Sequence, residues 1–446
     1  MSRRQSTSKQ RIRKIKINYL PDNIQEIAEE IETLKTHIDI LNDDCLPEIF
    51  MNSTMEDRLQ EKHGDCTQKK NACQNNWNDI HGIDFTYKCP QHCDNKILLT
   101  ELEEKKTYDV DHALKQCGKS LENLKLGNIP DARILMIIHD YCHNLIKLDL
   151  DLINYEEKYF EKFFENMKNL KHLEIKKPGY FTKNFVQELH LLPATMEEIH
   201  LYCSKSPATN FDYSCTASAE TWKNTFEKFD NLKSLTINGY KLDENIIKII
   251  SNKKKLIYLS LSRCELETTS CLTMILNLNN LETLKLRSVK IVDDLFLYNL
   301  SRKCLNLKHL NLAQCNKVSD TGIIELTKLD KLEELILNRS TNNIVDISDK
   351  SIRQFRNLKK LHCFGCDCVT HDGIIKVLKN SPELELLDIG NTEVSPTIFL
   401  PIASSLTRHR TNNIILTLKV DLVWDIFAPD PRKTIEPSPY LIIDKS

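Results

Sequence analysis

The chain has 446 residues, 41% of them hydrophobic and 28% charged, with a formal charge of −2. This is a globular composition, neither disordered nor fibrous, and its balance excludes a globally basic nucleic-acid binder. The 10 glycines are so sparse that Gly365 and Gly373 are the nearest pair, which rules out the glycine-rich dinucleotide and P-loop fingerprints. The longest run of large apolar residues, Ile134 to Ile138, is far shorter than a membrane span. The opening MSRRQSTSKQRIRKIKI lacks the apolar region of a secretory signal. Sixteen cysteines in a chain of this length, with no export signal, read as reduced. A cytoplasmic or nuclear setting is expected.

Residues 1–20 are basic: Arg3, Arg4, Lys9, Arg11, Arg13, Lys14 and Lys16 stand among the first sixteen with no acid. Such a segment reads as a disordered arm that doubles as a nuclear-import signal or a weak nucleic-acid contact. From residue 21 the pattern changes. Ile24, Ile27, Ile31, Leu34, Ile38 and Leu41 follow a 3-4 spacing, with Pro21, Asp22 and Asn23 able to start and cap a helix. The apolar seam is shorter than three heptads, so packing against neighbouring helices is favoured over dimerisation through 24–41.

The next stretch, Leu41-Asn42-Asp43-Asp44-Cys45-Leu46-Pro47-Glu48-Ile49-Phe50 followed by Met55-Glu56-Asp57-Arg58-Leu59, resembles the F-box. Ser53 stands where a leucine is expected, and Asp65-Cys66-Thr67-Gln68-Lys69 replaces the usual apolar tail, so this F-box is degenerate. The resemblance implies a small helical segment over 21–79. In it Leu41, Leu46, Ile49, Phe50 and Leu59 would bind a Skp-type adaptor, which joins a cullin.

Most of the chain is repetitive. The spacing apolar-x-x-apolar-x-apolar occurs eleven times, from Leu121-Leu124-Leu126 to Leu384-Leu387-Ile389. The intervals between first members are 24, 25, 26, 36, 24, 25, 26, 25, 26 and 26 residues. Weaker copies stand at Ile80-Ile83-Phe85 and Ile415-Leu418-Val420. Period and motif resemble the leucine-rich repeat over residues 80–427, with about 11–13 units. Each unit places two side chains on one face of a short strand and follows with a helix, as in Val318 to Leu326, where Ser319 and Asp320 are N-cap types. A single unit cannot bury its own apolar face, so an α/β solenoid is expected, a horseshoe with a parallel concave sheet and convex helices.

Eight residues past the first leucine stand Cys264, Cys315 and Cys366, with Ser204, Ser340 and Thr392 in other units. This resembles the cysteine-containing subclass, although Ile129, Ile153, Pro178, Tyr240 and Val289 depart from it. Cys363-Phe-Gly-Cys366-Asp-Cys368 and Cys89-Pro-Gln-His92-Cys93 have spacing reminiscent of zinc ligands. Cys363 and Cys366 are explained as core and ladder residues, so no metal or other cofactor is expected. Residues 428–446 are proline-rich and expected as a mobile tail or extended strap.

The F-box and repeats together resemble the substrate receptor of a Skp–cullin–F-box ubiquitin ligase. That resemblance implies a non-catalytic protein with an unknown protein substrate on the concave face, no membrane contact and no small-molecule ligand. A non-ligase repeat scaffold with a decayed F-box is the alternative. Between the buried leucines, Tyr258, Arg287, His309, Ile336, His362 and Phe364 are expected to face solvent on the sheet. Aromatic, apolar and arginine side chains there have the chemistry of interface anchors. His172, His200, His309 and His362 have no nucleophile at a recognisable spacing.

Overall fold

A computed structural model describes residues 80–86, 110–154, 156–177, 182–203, 219–339, 347–421 and 438–445. The basic arm, the 24–41 helix, the F-box-like residues, the Cys89–Cys93 cluster and Ser204 therefore lie outside the described residues.

The sheet begins with β1 (Gly82–Thr86), β2 (Asn123–Ile129), β3 (Lys147–Leu152), β4 (His172–Lys177), β5 (Glu198–Cys203) and β6 (Ser234–Ile237). A short β7 (Lys241–Leu242) lies aside and pairs only with β9 (Glu265–Leu266). The main sheet continues through β8 (Tyr258–Ser260), β10 (Thr283–Lys285), β11 (His309–Asn311), β12 (Glu334–Ile336) and β13 (Lys360–His362). It ends with β14 (Leu386–Asp388), β15 (Leu416–Val420) and β16 (Leu441–Lys445). All fourteen strands run parallel in chain order. Together the stacked repeats form an α/β leucine-rich-repeat horseshoe.

Why it forms is visible in the register. Leu284, Leu310, Leu335, Leu361 and Leu387 are direct partners across five successive strands. Every apolar residue of the motif from Leu121 to Ile389 is at most 4% exposed, so the pattern encodes one continuous core. The weaker end copies pack less completely, with Ile415 46% exposed.

Each strand then leaves the sheet through a tight turn. Seven residues past the first leucine, Asn128, Arg263, Ser288, Gln314, Gly365 and Asn391 have φ between 50° and 71°, the left-handed region that suits Gly and Asn. At Gly365 a Cβ would also meet the Arg339 carbonyl oxygen at 2.4 Å. The next position is the ladder: Cys264 and Cys315 donate their thiols to Ile237 O and Leu286 O, both at 3.2 Å, and Cys366 to Leu337 O at 3.8 Å. Tyr240 and Val289 simply fill the same place with apolar volume.

The convex helices are linked by a recurring device. Ser319, Ser348 and Thr370 each cap their own helix, accepting from Thr321 N, Lys350 N and Asp372 N. The acid at the following position caps the next repeat instead. Asp294 accepts from the Ser319 amide at 2.8 Å, Asp320 from the Ser348 amide at 2.9 Å, and Asp349 from the Thr370 amide at 2.9 Å. Each carboxylate also accepts that residue's hydroxyl. Ser319 and Asp320 thus serve different helices, which sequence alone did not separate. Asp320→Ala leaves an amide and a hydroxyl of Ser348 without acceptors and should cost about 1–3 kcal/mol, read from the denaturant midpoint. Asp320→Asn, which keeps one acceptor, should lose less.

Residues 428–446 are expected as a mobile tail or an extended strap, and the described end of this segment is extended. Leu441–Lys445 pair with β15 over five residues, because Leu441-Ile442-Ile443 can complete a sheet edge despite the prolines before them. No helix among the described residues is long and apolar enough to cross a membrane.

Candidate functional site

The concave face is built from the side chains that alternate with the buried leucines. Its rim is an ordered row of charges. Glu197 bridges Lys171 (3.4 Å) and Lys233 (2.6 Å), Lys308 meets Glu282 (2.9 Å), and Lys359 meets Glu333 (3.1 Å). Exposed pairs of this kind contribute little stability, but they neutralise one another across the rim.

Inside the rim two clusters stand out. The first spans β3 to β8. The His200 ring stacks on Tyr202 at 6.2 Å and meets Tyr258 edge-on at 5.8 Å. Lys285 Nζ lies 5.2 Å from the centre of the Tyr258 ring. Burial holds His200 below the ordinary imidazole range and pushes the Tyr202 hydroxyl up to about 12. Burial also raises the Asp149 carboxyl, with Glu174 adding to the effect and Lys147 opposing it.

Here the structure finds a hydroxyl neighbourhood that sequence spacing did not show. His200 Nδ1 lies 2.9 Å from Thr236 Oγ1, and Nε2 lies 3.3 Å from Ser234 Oγ and 3.8 Å from Glu198. A catalytic triad needs its acid on the imidazole nitrogen opposite the nucleophile. For Ser234 the carboxylate sits on the same nitrogen. For Thr236 the arrangement is right in order, but the residue is 0% exposed and cannot meet a substrate. The cluster is a packed polar network.

The second cluster is a groove of ≈570 Å³ over β10 to β14 and the turns that follow. Arg287, Ile336, His362 and Phe364 all line it, joined by Asn311, Ala313, Gln314, Asn338, Arg339 and Asn391. Four of the six expected residues are therefore brought together. The other two are not in it: Tyr258 belongs to the first cluster, and His309 sits beside the groove with Nδ1 3.0 Å from Glu334. His362 Nδ1 lies 3.4 Å from Asp388 and Nε2 3.8 Å from Glu334. Phe364 remains 39% exposed and lies over Gly390, where an added Cβ would meet its ring at 2.8 Å. Gln314, Arg339 and Asn391 were missed because they belong to the turn position, not to the strand. The recurrent Asn or Gly at that position was the available signal.

The buried cysteines offer no reactive centre. Burial raises Cys142, Cys264 and Cys315 to about 12 and Cys304 to about 11. At pH 8 their alkylation should run about a hundredfold to a thousandfold slower than that of an ordinary thiol and recover in denaturant, checked by peptide mapping. Cys363 and Cys366 are buried in adjacent core positions while Cys368 is exposed. Among the described residues no three His, Cys, Asp or Glu side chains converge on a metal-sized site.

No protein-family model matches the chain. Over 154 residues it is 29% identical to antagonist of mitotic exit network protein 1 of Saccharomyces cerevisiae, covering 34% of this chain and 28% of that protein. Over 307 residues it is 24% identical to the putative RNA-binding protein EEED8.10 of Caenorhabditis elegans, covering 63% of this chain and 41% of that protein. The chain thus matches well under half the length of these relatives. Among solved structures it resembles the yeast Rad7 and Elc1 complex, with a TM-score of 0.52 and 18% identity over 84% of this chain and 93% of that one. That likeness is one of fold.

Proposed function

We propose that this chain is a non-catalytic substrate receptor of Skp–cullin–F-box type. The concave face takes a protein substrate, with Arg287, Ile336, His362 and Phe364 at the centre and Tyr258 and His309 beside it. Leu41, Leu46, Ile49, Phe50 and Leu59 take a Skp-type adaptor, which brings a cullin. The observation that carries the first half is the groove: aromatic, aliphatic and guanidinium side chains from four successive repeats line one cleft. That is the make-up of an interface anchor. The second half rests on the F-box resemblance of residues 41–59, and on similarity in fold to a repeat protein solved together with a second protein, Elc1. The chain's own contribution to ubiquitin transfer would be proximity alone. The basic residues 1–20 suit nuclear import, and the reading puts the chain's work in cytoplasm or nucleus.

Ser53, Asp65 and Lys69 favour a second reading, a repeat scaffold whose F-box no longer binds. Co-expression of the full chain with a Skp-type adaptor and cullin, followed by gel filtration, separates the two. Co-elution of all three supports the receptor. Elution of the chain alone leaves the scaffold.

A further inference from the structure

The groove is lined by donors. Asn311 Oδ1 accepts the Ala313 amide at 2.9 Å, Asn338 Oδ1 accepts the Phe364 amide at 3.1 Å, and Gln314 Oε1 accepts the Ser288 hydroxyl at 2.7 Å. In each case the amide oxygen is held by the repeat itself, and the NH2 group is what remains for an occupant. Arg287 is exposed, with no ion pair among the described residues. No carboxylate lines the groove. Three acids adjoin it and each is engaged: Glu334 faces His309, Asp388 faces His362, and Asp421 accepts the Asn391 amide. An occupant that brought only donors would leave these groups unmatched, at a cost that grows as water is excluded. Beside the donors lie the Phe364 ring and Ile336.

We infer that the groove binds a peptide carboxylate, held by Arg287 and the three amides, with an adjacent apolar side chain seated against Phe364 and Ile336. This rests on the receptor reading above and names the chemistry of its substrate. Nucleic acid would offer acceptors too, and the base-stacking role could fall to Phe364. The surroundings disfavour it: the rim lysines Lys308 and Lys359 are already paired with Glu282 and Glu333, Glu334 and Asp388 flank His362, and a phosphate backbone needs an uninterrupted basic track. A single carboxylate needs only the local donors around Arg287.

The test is affinity selection of random dodecapeptides on the full chain, with one library displayed with free C-termini and one with the C-terminal end fused to the carrier. Selected sequences are then remade as labelled synthetic peptides for titration. The proposal expects selected peptides to carry a carboxylate next to an apolar residue. Replacing that acid by its amide should weaken binding about tenfold or more, and the same replacement should have little further effect on the Arg287→Gln chain. Selection from the free-C-terminus library alone would assign the carboxylate to a chain end; selection from both would assign it to Asp or Glu side chains.

Peptides that lose binding on Phe364→Ala but tolerate acid-to-amide replacement would overturn the carboxylate inference and leave the receptor reading intact. Peptides that bind wild type and Arg287→Gln/Phe364→Ala chains equally would overturn both. Displacement of the peptides by a ten-nucleotide oligouridylate, with steep salt dependence, would replace the inference by a nucleic-acid site. Arg287 and Phe364 are both exposed, so unchanged melting temperatures of these variants should exclude misfolding.

Discussion

Leu310→Ala should destabilise the repeat array by about 2–5 kcal/mol. Leu310 is 1% exposed in the middle of the row that runs from Leu284 to Leu387, and each partner in that row is buried on both sides. Truncation opens a cavity that the flanking repeats can close only by moving their own strands out of register. Lys285, on the neighbouring strand, points the other way onto the sheet surface, and Lys285→Ala should shift stability by about 0.5 kcal/mol or less. The pair is compared by urea denaturation. Equal losses would contradict the assigned faces, and a larger loss at Lys285 would mean that they had been interchanged, because a one-residue slip in a strand exchanges its two faces.

The second large effect is expected at the F-box-like residues. Ile49→Asp combined with Phe50→Asp should abolish association with a Skp-type adaptor, since burying two unpaired carboxylates in an apolar interface costs several kcal/mol. The repeats, from residue 80 on, should melt unchanged. Retained adaptor binding by this double variant would remove Ile49 and Phe50 from the interface, whatever the wild-type chain binds.

How much of this was legible in the sequence depends on the distance over which each feature is encoded. The leucine spacing is local, so strand positions, buried faces and the parallel register follow from it with no gap: Leu310 pairs Leu335 because both are fourth in their units. The positions between the buried leucines were equally readable, which places Ile336 and His362 on their strands and Arg287 and Phe364 just past theirs. What the spacing does not carry is lateral chemistry. His200 meets Ser234 across 34 residues and Thr236 across 36, through the one repeat of unusual length. Gln314 and Asn391 entered the groove by a left-handed turn that no apolar pattern marks. Asp294, Asp320 and Asp349 look like caps of their own helices and serve the next ones instead. The last strand was hidden because Leu441-Ile442-Ile443 completes no leucine motif and follows a proline-rich stretch.

Under the proposed function one chain holds two separable binding sites, an adaptor site in residues 41–59 and a substrate groove over β10 to β14. Quantitative mass spectrometry of material co-purified with three tagged chains separates them: wild type, Ile49→Asp/Phe50→Asp, and Arg287→Gln/Phe364→Ala. Wild type should bring down a Skp-type adaptor, a cullin and a substrate set. The first variant should lose adaptor and cullin and keep the substrates, and the second should lose the substrates and keep adaptor and cullin. A wild-type chain without adaptor, or a groove variant that retains every protein bound by wild type, would contradict it.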